Sequence, residues 1–458
     1  RMIDAACDEG LYMASLTIED VLSATGGELI SGEARVFTGV CIDSRQVQDG
    51  ELFIALEGER FDGHDFLPQA LEKAGGALVH MPGIAPIPGK TIIRVGNTLS
   101  ALQDIARFLR RQKGLPVVAV TGSNGKTTTK ELTAAVLGTR YRILKNAGNL
   151  NNQIGLPLSL TRMSSEDQVI VLEMGASAAG DIRELCGIAL PDYGIITNIG
   201  HAHIERFGDL ETVRRTKLEI LEGIRVAVVN GDDHFLMEGI QRLGFRGSVI
   251  RFGIENTTAD VRATEIVLGE RGASFKIHYG ELPAIPVEMQ IAGYFNIYNV
   301  LAAASIGYLF DIDPEKIRTA INVFTGMPMR MEFRELHGVR IISDVYNANP
   351  ASMEAALREL VRIRKGRAIV VLGDMLELGP YEEEAHRNLG RFISELGIDI
   401  FIAVGPRMAL ATSEFRGQSH RLHSPEEAGK LLRNLWARKD TVLIKGSRGM
   451  QMERVLEE

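Results

Sequence analysis

The run Thr121-Gly122-Ser123-Asn124-Gly125-Lys126-Thr127-Thr128-Thr129 concentrates groups that can hold a polyphosphate. It follows the apolar segment PVVAV and precedes the helix-like KELTAAVLG, the strand, loop and helix order that a phosphate loop requires. Glycines let backbone N–H groups approach phosphate oxygens, and the helix start presents partial positive charge. Lys126 would neutralise β- and γ-phosphate oxygens, and Thr127 would offer a hydroxyl to Mg²⁺. Val120 stands where the usual pattern begins with glycine, so the loop is a G-x-x-G-K-T-T variant. A glycine turn that merely capped a helix would not need Lys126 beside Thr127. Gly122, Asn124, Gly125, Lys126, Thr127 and Thr128 are therefore expected to contact the phosphates of a nucleotide.

Three further residues carry chemistry but leave two readings open. Glu173 ends the apolar segment QVIVLE, where ligands gather at the carboxyl ends of parallel strands, and a carboxylate is the hard ligand Mg²⁺ prefers; a solvated glutamate after a strand would look the same. His203 follows the strand-like ITNIG, with His201 two residues before it, and a lone histidine is often a hydrogen-bonded structural residue. Lys217 lies in the helical run ETVRRTKLEIL, where periodicity alone favours a solvated lysine.

These residues need a scaffold, and 458 residues exceed what one hydrophobic core usually organises. Segments 17–31 (TIEDVLSATGGELIS) read as a short helix and a glycine turn, followed by strand-like VFTGVCID, ELFIAL, GALVHM and TIIRV. This predicts a small α/β domain over 13–97, with residues 1–12 an extension outside the fold. A helical period from Thr98 to Arg111, with Leu99, Leu102, Ile105, Ala106 and Leu109 apolar, leads through Lys113-Gly114-Leu115-Pro116 to the next unit. From Pro116 apolar strands alternate with helices (PVVAV, QVIVLEMG, DYGIITNIG, RVAVVN), which predicts a central phosphate-loop domain with a parallel sheet over 98–326. After Gly326-Met327-Pro328 a second series (VRIISDVY, RAIVVLGD, IDIFIAVG, DTVLIKGS) predicts a Rossmann-like domain over 327–458. The fold class is α/β in three domains.

A formal charge of −8 argues against nucleic acid as partner. Cys7, Cys41 and Cys186 are widely spaced, with no metal-ligand pairing or disulfide framework, as suits a reducing compartment. No apolar run approaches the ~20 residues that span a bilayer, and the opening RMIDAACDEG lacks the order of a signal peptide. A cytoplasmic monomer without membrane partner is expected.

Segments in order along nearly the whole chain resemble the Mur ligases, ATP-dependent amide-forming enzymes of cell-wall precursor synthesis. Asp43 to Phe66 (DSRQVQDGELFIALEGERFDGHDF) is similar to the family's UDP-sugar-binding segment, Asn146 to Leu160 (NAGNLNNQIGLPLSL) to a substrate loop, and EMG at Glu173 to a metal site. NIGHAHIERFG (198–208), GYFNIYN (293–299), DVYNANPASM (344–353), VLGDMLELG (371–379) and KGSRGMQME (445–453) resemble the subtype that adds D-alanyl-D-alanine to UDP-N-acetylmuramoyl-tripeptide. Two positions depart from the pattern: Ser343 replaces the first aspartate of a pair, and the interdomain arginine motif reads MPMRMEF.

The resemblance implies two Mg²⁺ ions, one on Thr127 and Glu173 and a second on His203 and on Lys217 after carbamylation by CO₂, with Lys126, Lys217 and His203 catalytic. It implies Asn296 and Arg330 as adenine- and phosphate-side contacts, and Asp344 and Tyr346 facing the nucleotide. Ser44, Arg45, Asn149, Asn151, Asn152, Asn347 and Asn349 are expected on the substrates. The chemistry implied is attack of a carboxylate on ATP, giving an acyl phosphate that the amine of D-alanyl-D-alanine converts to an amide. Rivals are a sister ligase adding another amino acid, folate polyglutamylation, and a phosphate-loop ATPase that uses hydrolysis as a switch.

Overall fold

A computed structural model describes residues 16–457 apart from 33, 59, 60 and 202. The expected extension over 1–12, the boundary at Met13 and Cys7 lie outside the described residues. Three sheets of the described residues carry the architecture. The first has the strand order 28–31, 91–94, 76–79, 52–54, 40–41, parallel except at the 28–31 edge. Helix Ile18–Thr25 packs beside it, started by a Thr17–Asp20 capping box and stopped by Gly26 at φ 63, as its sequence predicts.

Helix Thr98–Lys113 opens on an Asn97 cap and closes on Gly114 at φ 61. It buries Ala101, Leu102, Ile105, Ala106 and Leu109, packing on helix Ile18–Thr25 and on helices Gly155–Leu160 and Asp181–Ala189. One continuous apolar core consequently runs from Leu16 through this helix to Ile240.

The central sheet has nine strands in the order 285–289, 273–279, 261–268, 248–253, 226–230, 193–196, 117–121, 169–173, 143–145. Strands 117–121 and 169–173 are wholly buried, which is why their sequences are continuous apolar runs. The sheet is parallel from 143–145 to 261–268, and strands 273–279 and 285–289 then add an antiparallel margin that the sequence pattern does not announce. The turn 269–272 is too short for a crossover, so its two flanking strands must be antiparallel. Helices Lys126–Gly138 and Phe295–Leu309 cover one face; the latter is apolar nearly all round because it is buried nearly all round.

The third sheet has the order 332–336, 339–344, 441–445, 368–373, 400–404, 418–422, parallel except at the 332–336 edge. Apolar cores lie on both of its faces. The carboxyl ends of its strands 339–344 and 441–445 and of central strands 117–121, 169–173 and 193–196 lead into residues that line one cleft.

Candidate active site

The cleft has a volume of about 1660 Å³ and is lined from all three sheets, including Arg45, Lys126, Asn149, His203, Asp344 and Arg448. A drug-sized ligand fills roughly 300–1,000 Å³, so there is room for more than one substrate.

The phosphate loop sits at its centre. Gly122 (φ 138) and Gly125 (φ 80) are in backbone regions that favour glycine, and a Cβ at either would collide with Thr197 Oγ1 or Asn299 Oδ1 respectively. Neighbouring strands brace the loop: Asn198 Oδ1 accepts the Asn124 N–H at 3.0 Å, and Thr197 Oγ1 donates to the Asn124 carbonyl at 2.6 Å. Lys126 Nζ donates to the carbonyls of Gly122 at 2.9 Å and Ser123 at 3.3 Å, folded back over the loop. Burial pushes this ammonium below the usual lysine range, Arg330 adding to the effect and Glu173 opposing it. Thr128 is buried and also lines the cleft.

Glu173 is 3 % exposed at the end of its strand. Its Oε1 accepts from Asn151 Nδ2 at 2.8 Å, while its buried Oε2 has no hydrogen-bond partner. An unpartnered buried carboxylate oxygen is costly unless a cation completes it, so Glu173 with the Thr127 hydroxyl fits a divalent metal. Two residues for which the sequence suggested no such role fix the backbone that carries this carboxylate. Asn146 accepts the Glu173 N–H at 2.9 Å and donates to its carbonyl at 2.9 Å, and buried Lys130 donates to the Asn146 carbonyl at 2.5 Å.

Lys217 is 2 % exposed, on the inner face of helix Leu210–Leu218, with its Nζ 5.8 Å from the centre of the Phe207 ring. The solvated-lysine reading therefore fails. Burial, then the like charge of Lys126, bring its pKa from 10.5 to about 7, against the pull of Asp181, Glu219 and Glu173. Lys217 is not among the residues that line the cleft, whereas His203 is, with Nδ1 2.5 Å from Glu377 Oε2.

The C-terminal unit reaches the loop directly. Arg330 Nη2 donates to Thr127 Oγ1 at 2.9 Å, and its guanidinium lies 4.0 Å over the Tyr346 ring. The unusual MPMRMEF motif thus still brings its arginine to Thr127 of the loop, and Ser343 is simply buried in its strand. Asn349 Nδ2 donates to Asn124 Oδ1 at 2.7 Å while its Oδ1 caps helix Pro350–Ile363. Asp344 Oδ2 lies 2.5 Å from Lys445 Nζ, which also donates to the Asn347 carbonyl at 2.9 Å. Lys445, nearly buried, is a cleft residue that sequence reasoning passed over inside the KGSRGMQME segment. Asn296 lines the cleft and accepts from Asn299 Nδ2 at 2.8 Å, and Asn299 in turn accepts from Thr129 at 3.1 Å.

The expected substrate contacts divide. Arg45, Asn149, Asn151, Asn152, Asn347 and Asn349 line the cleft. Asn152 also accepts the Gly155 N–H at 2.8 Å at the start of helix Gly155–Leu160. Arg45 is forked against Asp43 at 2.9 and 2.6 Å. Ser44 is outside the lining and donates to Gln69 Oε1 at 2.9 Å. No cluster of three or more His, Cys, Asp or Glu able to hold a metal occurs among the described residues; a metal at Glu173 would complete its shell with hydroxyl and phosphate oxygens.

Residues 36–108 match the catalytic domain of the Mur ligase family, 120–307 the Mur ligase middle domain, and 329–448 the Mur ligase glutamate ligase domain. The chain is 37 % identical to a UDP-N-acetylmuramoyl-tripeptide D-alanyl-D-alanine ligase of Bacillus subtilis, covering 97 % of this chain and 98 % of that protein. The Escherichia coli ligase of the same name is 34 % identical over the same shares. Among solved structures, MurF from Acinetobacter baumannii superposes with a TM-score of 0.91 at 32 % identity, covering 97 % of this chain and 99 % of that one. MurF from Thermotoga maritima in complex with ADP gives 0.82 at 30 % identity, over 92 % and 96 %.

Proposed function

This chain belongs to the Mur ligase family, and from that premise we propose that its cleft joins D-alanyl-D-alanine to UDP-N-acetylmuramoyl-tripeptide at the expense of ATP, through an acyl phosphate. The observation that carries this reading is the buried, unpartnered Oε2 of Glu173 in the same cleft as Lys126 and Thr127. We assign the UDP-sugar to residues 13–97, ATP to 98–326 and closure to 327–458.

Attack of the tripeptide carboxylate on the γ-phosphate brings two anions together. Fixed positive charge has to be in place before they meet. The loop N–H groups from Gly122 to Thr128 hold the phosphates, Lys126 turns from the loop carbonyls to the β/γ oxygens, and Arg330 reaches the same region from the C-terminal unit. Asn296, Asp344 and Tyr346 face the nucleoside. Mg²⁺ held by Thr127 and Glu173, with a second ion at His203 and carbamylated Lys217, would supply further charge neutralisation for the oxygens exchanged.

A pKa of about 7 leaves a large share of Lys217 as free amine at neutral pH, and only the free amine attacks CO₂. Its nitrogen lone pair bonds the carbon and one N–H proton leaves to solvent, which gives a carbamate anion within the electrostatic reach of Lys126 that would offer oxygens to a divalent cation. In the first step a carboxylate oxygen bonds the γ-phosphorus and the P–O bond to ADP breaks; in the second the free amine of D-alanyl-D-alanine bonds the acyl carbon, the C–O bond to phosphate breaks, one N–H proton leaves to solvent, and the amide, ADP and phosphate remain. Ser44, Arg45, Asn149, Asn151, Asn152, Asn347 and Asn349 are assigned to the two peptide substrates. Arg330 and Asn349 bond the loop from the C-terminal unit, which supports assigning to that unit the closure that shields the acyl phosphate from water.

We read the enzyme as a cytosolic monomer without nucleic-acid or membrane partner; among the described residues no helix is long and apolar enough to cross a membrane. Phosphate release measured with each substrate omitted in turn tests the function. Turnover is expected only with ATP, tripeptide nucleotide and dipeptide together. ATP turnover without either peptide substrate would instead indicate a hydrolytic switch.

A further inference from the structure

Two loops meet across the boundary between the central and C-terminal units, one carrying His203 and the other Glu377. His203 Nδ1 lies 2.5 Å from Glu377 Oε2, a short contact out of line for a well-formed hydrogen bond. Beside it the Glu205 N–H donates to the Glu377 carbonyl at 3.0 Å. Both His203 (φ 56) and Glu377 (φ 64) hold left-handed backbone conformations. Residues other than glycine keep such conformations only where the surroundings over-determine them, and they cluster at functional sites.

On the Glu377 side the surroundings are fully specified. The Asp374 carbonyl accepts the Ser447 N–H at 3.1 Å, His386 Nε2 accepts the Met375 N–H at 3.1 Å, and Ser447 Oγ accepts the Leu376 N–H at 2.9 Å. Gly379 follows, where a Cβ would come within 2.8 Å of the Glu205 Cα, so only glycine permits this approach of the two loops. The 374–379 loop is thus pinned along its backbone, with the Glu377 carboxylate aimed at one imidazole nitrogen.

We propose that Glu377 is a positioning residue: from the C-terminal unit it holds Nδ1 of His203, which leaves Nε2 as the nitrogen available to a divalent cation in the cleft. The proposal rests on the reading of His203 as a metal ligand. A carboxylate behind a ligating imidazole fixes both its ring orientation and the nitrogen it presents. Because the two residues belong to different units, the second metal position is complete only when those units are closed on each other.

A separate contact supplies the control. Glu270, at the tip of the hairpin 261–279, pairs with Arg340 at 3.0 Å and Lys365 at 2.7 Å, and Arg362 donates to the Gly269 carbonyl at 2.6 Å. These bonds join the same two units outside the cleft lining. Glu270→Ala removes these two ion pairs only: the Arg362–Gly269 bond and the Glu205–Glu377 backbone bond still hold the units together, and His203 is untouched.

The test is Mn²⁺ binding to the full-length protein with a non-hydrolysable ATP analogue, followed by electron paramagnetic resonance. The wild type should bind two ions. His203→Ala and Glu377→Ala should each weaken the second by about 10–100-fold and spare the first; the double variant should lose no more than either alone, and Glu270→Ala should retain both. Weakening by His203→Ala with wild-type binding in Glu377→Ala would overturn the inference and leave the histidine's role standing. Wild-type binding in His203→Ala, or a single ion in the wild type, would overturn both. Additive losses in the double variant, or loss of the second ion in Glu270→Ala, would show that the carboxylate does not act through the histidine.

Discussion

Replacing Lys217 by methionine keeps its stem and removes its charge, and so separates the stability cost of this lysine from its chemical use. In the folded protein the group releases its proton near pH 7, whereas in the unfolded chain it holds the proton to about 10.5. Between those values the unfolded state binds more protons, so stability rises with pH across that window. At about 1.4 kcal/mol per pH unit, the span amounts to about 5 kcal/mol of destabilisation, fully present below pH 7 and gone above pH 10.5. In bicarbonate-free buffer Lys217→Met is therefore expected to exceed the wild type in stability at pH 6 by up to about 5 kcal/mol, with the advantage shrinking as pH rises to 9 and beyond. Thermal unfolding midpoints of both proteins at pH 6 and pH 9 measure this. The variant should also lose ligase turnover at both values, since methionine forms no carbamate. An equal difference in midpoint at the two pH values would refute the depressed pKa, and retained turnover would refute the catalytic assignment.

Glu173→Gln keeps the shape and the Asn151 contact but removes the charge from the unpartnered oxygen; turnover should fall by on the order of 100-fold and demand more Mg²⁺, as phosphate release over a Mg²⁺ titration will show, and an unaltered Mg²⁺ dependence would exclude Glu173 as a ligand. Gly125→Ala forces a left-handed residue with a Cβ into Asn299, at a strain of about 1–2 kcal/mol from the backbone alone; calorimetry should find ADP binding lost. Asn349→Ala removes both the helix cap and the bridge to Asn124, so stability should drop by about 1 kcal/mol and the KM for ATP should rise, whereas a stable variant with unchanged KM would dissociate this residue from the nucleotide site.

The phosphate loop was legible because its information is local: glycine φ angles, a helix start and a lysine in nine consecutive residues. Strands 117–121 and 169–173 were legible because burial on both faces makes them continuously apolar. The margin over 261–289 was not, because its strands are half exposed and alternate with polar residues. Lys217 could not be settled from its helix, since which face is inward depends on Phe207 and on groups distant in sequence such as Lys126 and Glu173. Asn146 and Asn198 open segments that the resemblance marks, but their bracing roles, like that of Lys130, carried no signal of their own: each acts by bonding the backbone of another segment, and an asparagine or lysine in a loop or helix looks the same whether or not such a partner is near. Arg330 was found through resemblance despite its unusual flanks, and the structure shows why the flanks matter little: its guanidinium is fixed by Tyr346 and Thr127, not by its neighbours in sequence.

The central claim is that the tripeptide carboxylate itself takes the γ-phosphoryl group before any amide forms. It is tested most directly by labelling that carboxylate with ¹⁸O, running the complete reaction with D-alanyl-D-alanine, and reading the mass of the released phosphate. One ¹⁸O atom transferred into each phosphate is the predicted result; phosphate free of label, with amide formed, would contradict the acyl phosphate and the site built around it.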